Sequence, residues 1–181
     1  MTELTSLILS RIRDVYDYPQ PGVLFKDITP LLADPVAFAA VVDELARWAT
    51  ADSADTVGMV DKVVGIEARG FILAAPVACQ AGVGFVPVRK KGKLPAETLS
   101  AAYDLEYGSA TVEVHRDAFA PGDRVLIVDD VLATGGTAQA TVELVGRAGA
   151  EVVGVAVLME LAFLKGRDRL EGVDLRSLVI V

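Results

Sequence analysis

The chain has 181 residues, 52% of them hydrophobic and 23% charged, with 16 glycines; this suits one globular domain with a sizeable core and excludes a disordered chain. Its 17 basic and 25 acidic residues leave a net charge of −8, which argues against nucleic acid or an anionic membrane as main partner but admits an anionic small molecule met by local positive charge. The single cysteine, Cys79, cannot form an intrachain disulfide, so nothing points to an oxidising compartment. Its neighbours Ala75, Pro76, Val77, Ala78 and Ala81 predict a buried structural thiol.

In chain order, Leu4, Leu7, Ile8, Ile12 and Val15 recur at helical spacing and predict an amphipathic helix near residues 2–14. That charged opening has no long apolar block with a small-residue cleavage site, so no signal peptide is expected. Tyr18 to Gly22 breaks the pattern, and Val23–Leu32 reads as loop. Asp34 caps a helix with Pro35 at its first position, running to about Thr50. Val63–Ile66 is a short buried strand. Phe71–Val88 is nearly uncharged and almost long enough to span a bilayer, but Pro76, Gly82, Gly84 and Pro87 divide it into a helix (Phe71–Gln80), a turn and a buried strand (Val83–Val88). The chain is therefore expected to be soluble and cytoplasmic. Thr111–His115 alternates as a half-exposed strand does. Val125–Val128 is a strand, Ala138–Ala148 a helix closed by Gly149, Val152–Leu158 a strand, and Leu178–Val181 the candidate for the last one. Apolar strands alternating with helices predict an α/β domain whose parallel sheet is covered on both faces, with no second domain.

The run VLIVDDVLATGGT (125–137) carries most of the functional information. Four aliphatics lead into two adjacent carboxylates, Asp129 and Asp130, and then into Ala133, Thr134, Gly135, Gly136 and Thr137 at a helix start. Helix-start N–H groups attract an anion, and glycines let the backbone approach it. In an open α/β sheet the ligand crevice lies beyond the carboxyl ends of the strands. Glu67-Ala68-Arg69-Gly70 and Arg89-Lys90-Lys91-Gly92-Lys93 follow two other strands and should meet the first loop there. Each segment alone has a plainer reading: a cap and a solvated acid, a surface arginine, a solvated cationic loop. Together they fit a phosphorylated ribose carrying a second anionic group. The glycine turn takes the 5-phosphate, the acids take the ribose hydroxyls, and the cations take a pyrophosphate. Mg2+ would arrive with that pyrophosphate, held mainly by it and by water near Asp129 and Asp130, with no direct protein ligand set. Loss of pyrophosphate leaves positive charge on the sugar, which nearby carboxylates stabilise. Lys93–Gly108 mixes Gly, Pro, Ser and Tyr with few large aliphatics, and reads as a lid or as a plain solvated loop.

The 125–137 run closely resembles the ribosyl-pyrophosphate motif of the type I phosphoribosyltransferases. Pro21–Leu32, Gly65–Phe71, Val86–Pro95 and Tyr103–Gly108 resemble the adenine-specific members of that family, and the likeness spans about residues 3–170. It implies a mostly parallel sheet flanked by helices, a small hood from about 1–34 and 159–181, and a flexible catalytic loop. It also implies conversion of adenine and phosphoribosyl pyrophosphate to AMP and pyrophosphate, in a homodimer. Carried over, Ala133–Thr137 resembles the 5-phosphate loop, and Asp129 and Asp130 the ribose-binding acids. Glu67, Ala68 and Arg69, with a peptide bond at 67–68 that is often cis in the family, resemble the pyrophosphate loop, joined by Arg89, Lys90 and Lys93. Leu24, Phe25 and Lys26 resemble the base-binding segment; many members have Arg at the place of Lys26. Leu161 matches a hydrophobic wall of the base pocket. Glu106 resembles the catalytic-loop glutamate that exchanges a proton with adenine N7, and Tyr107 accompanies it on the lid.

Two rivals are weighed. Another purine base would call for a lysine to meet a 6-oxo group, and Ala138, Gln139 and Ala140 after the glycine turn supply none. A non-catalytic sensor that regulates transcription would need a DNA-binding module, for which the roughly 20 residues before Pro21 and a net charge of −8 leave neither room nor a basic face.

Overall fold

The computed structural model describes residues 2–50, 59–104 and 109–181. The chain forms two compact units, Met1–Glu44 and Leu45–Val181.

The first unit begins with α1 (Glu3–Leu9), whose cap Thr2 accepts a hydrogen bond from the Thr5 N–H. The expected helix to residue 14 stops early. Arg13–Tyr16 is instead β1, antiparallel to β2 (Leu24–Asp27). Ile12 and Val15 continue the helical spacing, yet backbone pairing and the Arg13–Asp27 ion pair hold this stretch extended. The predicted loop 23–32 is thus structured, as β2 followed by α2 (Thr29–Ala33). Asp34 then caps α3 (Pro35–Thr50) as expected, accepting from Val36 N at 3.0 Å and Ala37 N at 3.1 Å.

The second unit is built on a seven-stranded sheet. Its strands are β3 (Lys62–Ile66), β4 (Gly84–Lys90), β5 (Thr98–Asp104), β6 (Ser109–His115), β7 (Arg124–Leu132), β8 (Glu151–Glu160) and β9 (Leu175–Ile180), in the spatial order 5-6-4-3-7-8-9. The pairs β3–β4, β3–β7, β7–β8 and β8–β9 are parallel, while β5–β6 and β4–β6 are antiparallel. Helices α4 (Gly70–Ala81) and α5 (Gly136–Arg147) flank the sheet, linking β3 to β4 and β7 to β8. The mostly parallel α/β sheet read from the sequence is therefore present. Its central strands are apolar because both faces are covered: Val125, Leu126, Ile127 and Val128 are fully buried, and each such side chain contributes roughly 1.5–3 kcal/mol by leaving water.

Three expectations change. Residues 98–104, assigned to the lid, form β5, zipped to β6 from Thr98↔His115 to Asp104↔Ser109. The last strand starts at Leu175, before the apolar run that signalled it. Cys79 is exposed. Leu73, Ala74, Val77 and Ala78 take the buried side of α4, so position 79 shares its outer side with Ile72 and Ala75.

The topology places the site. From β3 the chain moves to β4 on one side and later returns as β7 on the other. The crevice at such a switch point opens beyond the carboxyl ends of β3 and β7.

Candidate active site

Two loops leave the carboxyl ends of β3 and β7, and a third leaves β4 beside them. The acids lie on β7 itself, which continues to Leu132, rather than after its end as the sequence suggested. The pairing of β7 with β8 extends to Leu132↔Glu160 and so holds both acids on a regular strand.

Asp130 is 4% exposed, and its Oδ2 lies 2.7 Å from Arg69 Nε. This pair joins the β7 strand to the loop after β3. Burial pushes the Asp130 carboxyl above its usual range, more than the Arg69 charge offsets. Asp129 is half-buried and accepts a hydrogen bond from the Asp130 N–H at 2.9 Å. Burial, then the Asp130 charge, push Asp129 well above the ordinary carboxylate range. Gly70, the first residue of α4, lets that helix approach: a Cβ there would stand 2.7 Å from Asp129 Oδ1.

Asp129 lines a cleft of about 80 Å³ together with Leu132, Ala133, Thr134, Gly135, Gly136 and Thr137. Gly135 caps α5 in the left-handed region, φ +81, and accepts from Gln139 N at 2.9 Å. The 133–137 turn thus closes on a helix N-terminus, a place suited to an anion. Its conformation is supported from a distance. Gly166 packs directly on the backbone of Ala133 and Gly135, and a Cβ on Gly135 or Gly166 would collide with the other segment. No local sequence signal marks Gly166, which lies far along the chain from the loop it supports.

The Glu67–Ala68 peptide bond is cis, in keeping with the family resemblance. The Glu67 carboxylate faces the end of β4, which runs on through Arg89 and Lys90 rather than stopping at Val88 as the sequence suggested; Oε2 accepts from Arg89 Nε at 3.1 Å and from Lys90 N at 3.0 Å. Burial raises its pKa, but the Lys90 N–H, the Arg89 guanidinium and the Lys93 charge together hold it below its usual range. Arg89 Nη1 also donates to the Lys93 carbonyl at 3.1 Å, so its guanidinium orders the cationic loop. Lys90, Lys91 and Lys93 are exposed. Buried Glu113 on β6 accepts from Gly92 N at 2.9 Å, a second support that the sequence did not reveal.

Leu161 follows β8, and its N–H donates to the Leu132 carbonyl at 2.9 Å, beside the end of β7. Leu24, Phe25 and Lys26 form β2 of the first unit, where the Phe25 ring meets Tyr18 edge-on and Lys26 Nζ lies 2.7 Å from Asp14 Oδ1. Glu106 and Tyr107 lie outside the described residues.

Residues 32–177 match the phosphoribosyl transferase domain family. An adenine phosphoribosyltransferase of Streptomyces coelicolor is 66% identical over 99% of this chain and 98% of its own length. The crystal structure of adenine phosphoribosyltransferase from Thermoanaerobacter pseudethanolicus superposes with a TM-score of 0.91 at 47% identity, covering 98% of this chain and 99% of that one. The Saccharomyces cerevisiae enzyme, crystallised with an imino-altritol bisphosphate and adenine, superposes with a TM-score of 0.90 at 36% identity, covering 98% and 99%.

Proposed function

This chain belongs to the phosphoribosyltransferase family, and from that premise we propose that it transfers the 5-phosphoribosyl group of phosphoribosyl pyrophosphate to adenine, giving AMP and pyrophosphate. The observation that carries this reading is the meeting of the Asp130–Arg69 pair with the glycine turn at the carboxyl end of β7.

The turn Ala133–Thr137 takes the 5-phosphate through its N–H groups and the start of α5. Asp129 and Asp130 accept from the ribose hydroxyls. Glu67–Arg69 and the exposed cations of the Arg89–Lys93 loop receive the pyrophosphate. The C1–N9 bond forms as the C1–O bond breaks, and pyrophosphate leaves with the electron pair. Positive charge grows on the ribose as the C1–O bond breaks and before the C1–N9 bond is complete, and the paired carboxylates oppose it. The base gives up a proton, for which Glu106 is the acceptor. The assignment of adenine to Leu24, Phe25, Lys26 and Leu161, and of the lid to Tyr107, rests on the sequence resemblance. Arg69 pairs with Asp130 and its charge also acts on Asp129, which burial and the Asp130 charge raise. A divalent cation brought by the substrate suits that charge balance, so Mg2+ bound to pyrophosphate and water is part of the proposal; it supplies charge to the leaving group.

We extend the proposal to a homodimer, supported by the apolar outer side of α4, where Ile72, Ala75 and Cys79 are exposed. Cytoplasmic location is proposed as well, in keeping with a phosphorylated substrate. Among the described residues no helix is long and apolar enough to cross a membrane.

The test is to incubate the protein with phosphoribosyl pyrophosphate, Mg2+ and each purine base in turn, and to separate the nucleotides formed. AMP should form from adenine in clear preference to products from hypoxanthine, guanine or xanthine. Failure to form AMP would overturn the reading.

A further inference from the structure

Glu160 ends β8 at 5% exposure, an unusual burial for a carboxylate. Its partners come from the segment that follows. Arg167 grips both oxygens, with Nε on Oε1 and Nη2 on Oε2, and Ser177 Oγ donates to Oε2 at 2.6 Å. Arg167 Nη1 donates to the Leu175 carbonyl at 3.1 Å, so the guanidinium is fixed from two sides. The Arg167 hydrogen bonds hold the Glu160 carboxyl below its usual range despite its burial.

What this network anchors is the residue beside it. Gly166 precedes Arg167, follows Lys165 in the left-handed region (φ +54), and lies against the backbone of Ala133 and Gly135. Leu170, at the other end of the same turn, is buried in the core beneath α5. The cleft itself is lined by residues of 129–138 and by Val157, without Glu160 or Arg167. Glu160 is buried while the Arg167 side chain is 46% exposed, so the pair adds little net stability, and its better-attested use is to fix one geometry.

We infer that Glu160 and Arg167 are positioning residues for the 5-phosphate loop. Their pair seats Gly166 against Ala133 and Gly135, and so sets the loop N–H groups that receive the phosphorylated ribose. This rests on the reading of 133–137 as the phosphate site.

Two variants test it by steady-state kinetics with both substrates. Arg167→Lys keeps the charge but loses the fork that reaches Glu160 and Leu175 together. The double change Glu160→Met with Arg167→Met replaces both charges by apolar groups of similar size, which keeps the fold even where the single variant fails. Both should raise the KM for phosphoribosyl pyrophosphate about tenfold or more, since small misplacements of a binding loop carry penalties of that order. The KM for adenine should stay at its native value. Amide hydrogen exchange should quicken at Thr134–Thr137 and stay unchanged in β3. A native KM for phosphoribosyl pyrophosphate in the double variant overturns the inference. So does an equal rise in both KM values, which would indicate a general structural role. The native protein is the control: if it fails to bind ribose 5-phosphate, the reading of the loop itself fails, whereas a native-like double variant beside an active native protein refutes only the positioning role.

Discussion

Neutralising Asp129 should strengthen the empty protein and disable the enzyme. Asp129 lies beside buried Asp130, and the Arg69 guanidinium pairs with Asp130 at 2.7 Å. Burial and the Asp130 charge raise its carboxyl well above the usual value. The sign follows directly. As pH rises past the ordinary carboxylate range, the unfolded chain loses its proton first, so the folded state holds more protons and loses relative stability until its own raised value is passed. Asp129→Asn removes that charge and keeps an oxygen to accept from the Asp130 N–H. Removing an unfavourably placed charge belongs to the class of single changes that commonly add about 0.5–2 kcal/mol, or about 1–8 °C in Tm for a chain of this size. Thermal unfolding with and without phosphoribosyl pyrophosphate is the assay. Ligand at about a hundred times its Kd stabilises the native protein by about 2.7 kcal/mol. The variant should forfeit most of that gain, so the order of the two melting points should reverse on adding ligand. A variant less stable than the native protein when empty, or one that keeps the full ligand shift, would refute the reasoning.

Three further outcomes are expected. Gly135→Ala puts a side chain at φ +81 and against the Gly166 backbone; left-handed strain of about 1 kcal/mol and overpacking of about 1–3 kcal/mol should lower the urea midpoint by the equivalent of about 2–4 kcal/mol and raise the KM for phosphoribosyl pyrophosphate, and a native midpoint would show that the two segments yield freely. Glu106→Gln or Glu106→Leu should lower kcat by about 10²–10⁴ with little change in substrate binding; unchanged kcat in either variant removes Glu106 from the mechanism. Asp27 is held at about 2 by the Thr29 N–H, then by Arg13 and the Thr29 hydroxyl. Its depressed folded value gives stability that is present above about pH 4 and lost as pH falls through about 2, worth about 1 kcal/mol after allowing for the exposed Arg13 partner. Urea unfolding of Asp27→Asn at pH 7 and at pH 2 should show that deficit only at the higher pH, and an equal deficit at both would count against it.

The part of the site that was legible in the sequence is the part built from contiguous residues. The aliphatic run before Asp129 announces a doubly covered strand, and the glycines after it announce the turn, because both signals are local. Arg69 and the Arg89–Lys93 cations were placed at the same edge by one topological rule, and the switch point between β3 and β7 is where that rule puts them. What the sequence hid is non-local or lacks periodicity. The ribbon of Arg13–Tyr16 with Leu24–Asp27 has no fully buried residue and shows no alternation, while Ile12 and Val15 happen to extend a helical spacing. The strand Thr98–Asp104 owes its shape to pairing with Ser109–His115 rather than to apolar content of its own. Cys79 lies among apolar neighbours in sequence but on the outer side of its helix, since chain proximity does not decide which face is buried. Gly166 and Glu113 support loops distant in sequence, and a single chain carries no mark of such contacts.

The central claim is that the phosphorylated ribose is held where β7 meets α5. Its most direct test is a titration of the isotopically labelled protein with ribose 5-phosphate, followed by backbone amide NMR. The largest shifts should fall on Thr134, Gly135, Gly136 and Thr137, with smaller ones at Asp129 and Asp130, and should saturate together. Saturable binding that leaves those four amides unmoved would contradict the account.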